Sequence, residues 1–129
     1  MPVRLSTSSV LVWPDASAVE QAIRKWAAGI ASIRPEVVRI GYFGSYARGN
    51  WGPGSDVDLI VIVRDSEVPF DRRASGWDAT DLPVPADILV YTLREWSGLP
   101  AEARFRQTLA KEAIWVFQAR NEPERPFER

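Results

Sequence analysis

Gly44-Ser45-Tyr46-Ala47-Arg48-Gly49 and, one short loop later, Ser55-Asp56-Val57-Asp58-Leu59 form the stretch whose reading decides the fold. Val37-Val38-Arg39-Ile40-Gly41-Tyr42-Phe43, just upstream, reads as a β-strand, so the Gly-Ser pair stands at a strand end with a helix start behind it. Glycine lets backbone approach a ligand closely, and a serine hydroxyl beside the free N–H groups of a first helical turn can hold phosphate oxygens. Asn50–Ser55 contains Gly52, Pro53 and Gly54 and reads as a loop. Asp56–Val63 is a second strand, and its apolar run from Leu59 predicts burial on both faces. Residues i and i+2 of a strand share a face, about 6.6 Å apart along the chain. Asp56 and Asp58 therefore reach into one volume, which is unfavourable for like charges unless a cation lies between them. Hard oxygen ligands favour Mg2+ or Mn2+.

Outward from this stretch the pattern is regular. Val19, Ile23, Trp26, Ile30 and Ile33 recur at helical spacing after Asp15 or Ser17 as a cap, and Pro35 ends the run. Arg64–Val84 is polar and turn-rich, a long excursion with room for one short helix. Ala86–Tyr91 is a third strand, with Asp87 one residue into it. An acid heading an apolar strand costs free energy unless it is paired, exposed or on a metal. Leu93–Gly98 reads as a short helix. A further helix runs through Ala101–Lys111 with Pro100 in its first turn, and Ala103, Phe105 or Arg106, Leu109 and Ala110 on or near the inner face. Ala113–Phe117 reads as a final edge strand. Val10–Trp13 reads as a strand or docked arm, and Asn121–Arg129 as a mobile or partner-binding tail. The domain organisation expected is one domain over residues 1–120 and a tail over 121–129.

Composition narrows the chemistry. The 129 residues are 46% apolar and 26% charged, as in one globular domain. There is no cysteine and no histidine, which removes thiolate zinc sites, cysteine nucleophiles and every histidine base. Chemistry must run on carboxylates, hydroxyls, arginines and backbone amides. The formal net charge of −1 gives no indication of a basic face for nucleic acid. No apolar run approaches the roughly 18 residues of a membrane span, and Met1–Ser9 lacks a signal core, so the expected location is cytoplasmic.

Each feature alone has an ordinary structural reading: Gly44-Ser45 as a turn, Asp56-x-Asp58 as a solvated strand end, Asp87 as a strand-end cap. Jointly they place a phosphate-binding turn twelve residues before an acid pair, with a third acid on a later strand. This combination resembles the nucleotidyltransferase motif of the DNA polymerase β superfamily, and most closely its minimal nucleotidyltransferases (MNT). The resemblance runs from about Ile40 to Phe117. The fold it implies is α/β (α+β): a mixed sheet of about four strands with helices packed on one face, and ATP bound with Mg2+ at the sheet edge. Asp56, Asp58 and Asp87 would be catalytic and metal-binding, in a two-metal clamp. Asp87 would also accept the proton of the acceptor. Gly44, Ser45, Arg48 and Ser55 would bind the nucleotide, with Arg48 either neutralising triphosphate or pairing with an acid of the fold.

Larger members of the superfamily carry a helical domain for the acceptor. Only 42 residues follow Asp87, too few for one. Minimal nucleotidyltransferases usually pair with a HEPN-domain toxin. The resemblance therefore implies an antitoxin that transfers AMP from ATP to a hydroxyl, tyrosine in the family pattern, of that partner. Two alternatives stay open: a non-catalytic antitoxin subunit of a HEPN complex, and a nucleotidyltransferase for a small molecule. Six tryptophans exceed what so small a core needs. Trp51 and Trp77 lie in polar loops, so they are candidates for an interface, and Trp51 also for a place over the nucleotide base.

Overall fold

The computed structural model describes residues 14–120. The expected arm at Val10–Trp13 and the tail at 121–129 lie outside the described residues. Helix α1 covers Ala16–Ile33 and is capped by Asp15, whose carboxylate accepts from the Ala18 N–H. Of the five residues expected on its inner face, Val19, Ile23 and Trp26 are buried and Ile30 is partly so. Ile33, the last helical residue, is 73% exposed. Ala27 takes its place in the core.

The strands are β1 (Val37–Phe43), β2 (Val57–Val63), β3 (Ala86–Thr92) and β4 (Ile114–Gln118), in the spatial order β3-β2-β1-β4. β1 pairs antiparallel with β2 and β4, whereas β2 and β3 are parallel, so the sheet is mixed. β2 is central and buried on both faces apart from Asp58, as its apolar run predicts. A parallel pair needs a long crossover. Residues 64–85 provide it, with the short helix α3 (Phe70–Arg73) and a 3-10 turn at Ala74–Gly76. Arg73 pins this crossover. It is only 7% exposed and donates to the carbonyls of Val68 and Val90 and to both carboxylate oxygens of Glu95. That pairing holds the Glu95 carboxyl down at about 2.

The expectation of helices on one face needs correction. α1 packs against Val37, Ile40, Leu59 and Val61 on one side. Helix α4 (Leu93–Gly98, counting the four-residue α2 at Ser45–Arg48 described below) and helix α5 (Arg104–Glu112) cover Val38, Ile60 and Ile62 on the other, through Trp96 and Leu109. The reason is the alternation of β2: with apolar residues at both odd and even positions, each face must be buried. Pro100 does not enter α5 as expected. The Ala103 N–H bonds the Pro100 carbonyl, closing a separate turn, and Ala110 faces solvent. Among the described residues, no helix is long and apolar enough to cross a membrane.

Trp115 of β4 lies on Gly41 of β1, where the pairing shifts register. A Cβ at Gly41 would fall 2.7 Å from Trp115 Cε3 and 2.9 Å from the Ile114 carbonyl oxygen. Part of that clash is with backbone, so relief requires β4 to move. Gly41→Ala should therefore destabilise the protein by about 1–3 kcal/mol, read as a lower urea midpoint with the slope unchanged.

Candidate active site

The end of β1 and the heads of β2 and β3 meet at one end of the sheet, and all of the candidate residues gather there. Phe43, Asp58 and Asp87 are register partners across the three strands. A cleft of about 470 Å3 beside them is lined by Gly44, Ser45, Arg48, Ser55, Asp56, Asp58 and Asp87, the full predicted set. Two further residues, Thr108 and Glu112, reach it from α5.

The turn after β1 is built on a conformation that only glycine takes easily. Gly44 has φ +81°, and a Cβ there would stand 2.1 Å from Asp58 Oδ2. Helix α2, Ser45–Arg48, starts at once and Gly49 closes it. Ser55 ties the following loop, accepting from the Gly52 N–H at 2.9 Å and returning its own N–H to the Gly52 carbonyl at 2.9 Å. Asp56 and Asp58 line the same cleft, as the i, i+2 spacing requires.

The electrostatics are those of crowded acids. Burial pushes the Asp58 carboxyl up, and Asp87 and Asp56 push it further; Arg48 opposes this and Glu112 adds to it. Four carboxylates in the cleft face one guanidinium. The donor set is all oxygen, which fits a hard divalent cation held by Asp56, Asp58 and Asp87. Among the described residues no three acids are gathered closely enough to enclose one ion; they line a cleft and do not form a closed shell. The fit therefore rests on the donor type and on the mutual repulsion that a cation would relieve.

Glu112 has no counterpart in the sequence reading. Its Oε2 accepts from the Gly44 N–H at 2.8 Å, and both its oxygens lie 3.3 Å from Arg48 Nη1. Arg48 thus pairs with an acid of the fold, one of the two roles expected of it. The only sequence signal for Glu112 is its place on α5, three residues after buried Leu109 and four after Thr108. Trp51 and Trp77 are half-buried, each with a neighbour from its own chain. Trp51 stacks on Tyr46 with ring centroids 5.5 Å apart, and the Arg34 guanidinium lies 3.8 Å from the Trp77 ring centre. Both pack against the core.

Two measurements test this geometry. Because the Asp58 carboxyl is raised on folding, stability tied to it is full below its unfolded range and is lost as pH rises through its folded value. Asp58→Asn should thus raise the denaturation midpoint at neutral pH, and the gain should vanish below pH of about 4. Glu112→Ala should cost about 1–3 kcal/mol through the lost charge-assisted bond to Gly44, with Glu112→Gln milder because it keeps an acceptor. Equal unfolding curves for Glu112→Ala and the parent would contradict the anchoring role.

Comparison with known proteins places the fold. A Sulfolobus solfataricus protein assigned as a nucleotidyltransferase superposes with a TM-score of 0.58 and 17% identity, over 80% of this chain and 83% of that one. A chain of a toxin–antitoxin structure with AMP-PNP gives 0.51 at 16% identity, over 83% of this chain and 76% of that one. A chain of the MntA–HepT toxin–antitoxin gives 0.50 at 16% identity, over 78% and 73%. At such identities the likeness is one of fold. No curated protein sequence matches the chain. The sequence model of the nucleotidyltransferase domain matches residues 23–116, a span that holds the Gly44-Ser45 turn, all three aspartates and Glu112. On that match the chain belongs to the nucleotidyltransferase domain family.

Proposed function

We propose that the protein transfers AMP from ATP, with Mg2+ or Mn2+, to a hydroxyl of a HEPN-domain toxin, tyrosine by preference, and so acts as the antitoxin of a pair. The observation that carries this reading is the convergence of Asp56, Asp58 and Asp87 with the Gly44-Ser45 turn on one cleft. Support for the nucleotide and for the partner comes from the structural likeness to chains of toxin–antitoxin structures, one of them with AMP-PNP.

In this reading Ser45, the turn's backbone, Ser55 and Arg48 hold the triphosphate. Arg48 offers a fixed guanidinium fork suited to phosphate oxygens. A divalent cation held by Asp56, Asp58 and Asp87 supplies neutralisation of phosphate charge. The acceptor oxygen forms a bond to the α-phosphorus, the bond from that phosphorus to the bridging oxygen breaks, and pyrophosphate leaves. The acceptor's proton passes to Asp87, an exposed acid on the edge strand β3. With no histidine in the chain, a carboxylate is the base at hand.

Incubation with α-labelled ATP, Mg2+ and the HEPN-domain protein encoded beside it tests the reading. The partner should take up label, and Asp58→Ala should cut the rate on the order of 10²–10³-fold. Equal labelling by Asp58→Ala would overturn the assignment of the acids. A triple variant, Asp56→Ala, Asp58→Ala and Asp87→Ala, that still neutralised the toxin fully would replace catalysis with simple masking.

A further inference from the structure

A second groove, of about 1040 Å3, opens on the far side of the same acids. It shares Phe43, Asp58 and Asp87 with the first cleft, so the two meet at that row. Its walls are Phe43 and Phe105 on the α5 side and the crossover residues Trp77, Pro83 and Pro85 on the other. Its floor is four consecutive residues of β3, Ala86–Leu89.

Four consecutive strand residues can line one groove only where the strand's edge itself is open. β3 is an edge strand, and among the described residues no strand lies on its outer side. Its hydrogen-bonding parity follows from two bonds. Val57 of β2 donates to the Pro85 carbonyl at 2.9 Å, so Pro85, Asp87 and Leu89 turn their backbone groups inward. Arg73 reaches the Val90 carbonyl from outside at 3.0 Å, which confirms the alternation. The N–H and C=O groups of Ala86 and Ile88 therefore point into the groove. An edge of this kind is a template for a further strand.

Charge narrows the occupant. The charged residues lining the groove are Asp58, Asp78 and Asp87, with no basic residue among them. With Asp58 and Asp87 on the cation, Asp78 is the charge left to meet an incoming segment, and with no basic residue in the lining the groove suits a polypeptide with cationic side chains better than a phosphate backbone.

We propose that this groove docks the acceptor: an extended, cation-flanked segment of the partner protein pairs with Ala86 and Ile88 as a fifth strand and presents a hydroxyl side chain to the Asp58–Asp87 wall. The proposal rests on the transferase reading above and adds how the acceptor is held.

The test uses the full chain, labelled with nitrogen-15, and the probe peptide acetyl-Lys-Val-Tyr-Val-Lys-amide. Amide shifts should concentrate on Ala86–Leu89 and Phe105. Methylating the peptide's backbone nitrogens along one edge should weaken binding about tenfold or more, and along the other edge less than about twofold, since only one edge pairs. Replacing both lysines by glutamate should weaken it at least about fivefold. Four results would overturn the proposal: equal loss for both methylation patterns, shifts elsewhere on the protein, no shift at millimolar peptide, or Ala86 and Ile88 amides already protected from exchange without peptide. The last would mean that the chain's own residues cover the edge. ATP with Mg2+, titrated into the same sample without peptide, reads the Gly44–Arg48 amides separately, so loss of the docking groove and loss of the nucleotide site are told apart.

Discussion

Asp58 is a carboxylate fixed at the head of a strand buried on both faces, between two like charges, and the rest of the structure is arranged around that constraint. β2 cannot slide to relieve it. A shift of one residue would turn Leu59, Val61 and Val63 out of one core and Ile60 and Ile62 out of the other. The helices on both faces hold β2 in register, and β2 in turn holds Asp58 against Asp87 and beneath Gly44. The absent side chain at Gly44 completes the arrangement, since a Cβ would occupy the place of the Asp58 carboxylate. Stability is given up here for a fixed concentration of negative charge, which is the usual physical mark of a working site.

Topology explains why these acids converge. β1 runs antiparallel to β2, so the turn that ends β1 lies beside the start of β2. β3 runs parallel to β2, so its start lies there too. Turn, Asp58 and Asp87 thus come to one end of the sheet although 29 residues separate the two acids. Helix α5 adds Glu112 from further along the chain. Its carboxylate holds both the Gly44 N–H and Arg48 and so links the last helix to the turn after the first strand.

Much of this was legible because it depends on local pattern. The helical spacing of Val19, Ile23 and Trp26, the two-faced apolar run of β2 and the i, i+2 acids are short-range features that packing had no reason to override. The misses are long-range. Glu112 looks like any solvated acid near a helix end until α5 is folded across the sheet. Trp51 and Trp77 lie in polar loops, but loop composition does not reveal that Tyr46 and Arg34 wait beneath them. The one-face expectation fails for a different reason: a β2 that is apolar at odd and even positions needs cover on both faces, and α4 and α5 supply the second.

The crossover 64–85 joins fold to function most directly. A parallel β2–β3 pair demands a connection of at least a dozen residues, so a chain this small must spend a large share of itself there. Arg73 fixes one end of that connection, and by taking the Val90 carbonyl it closes the β3 edge at its far end. Trp26 fixes the middle, its indole N–H bonding the Asp78 carbonyl at 2.8 Å. Between these anchors no described strand pairs with the edge at Ala86–Ile88, beside Asp87. A loop required only for connectivity would be free to lie over that edge and pair with it, as edges are commonly protected. Held away at both points, it leaves strand-pairing groups uncovered at the place where an acceptor would have to approach the acids.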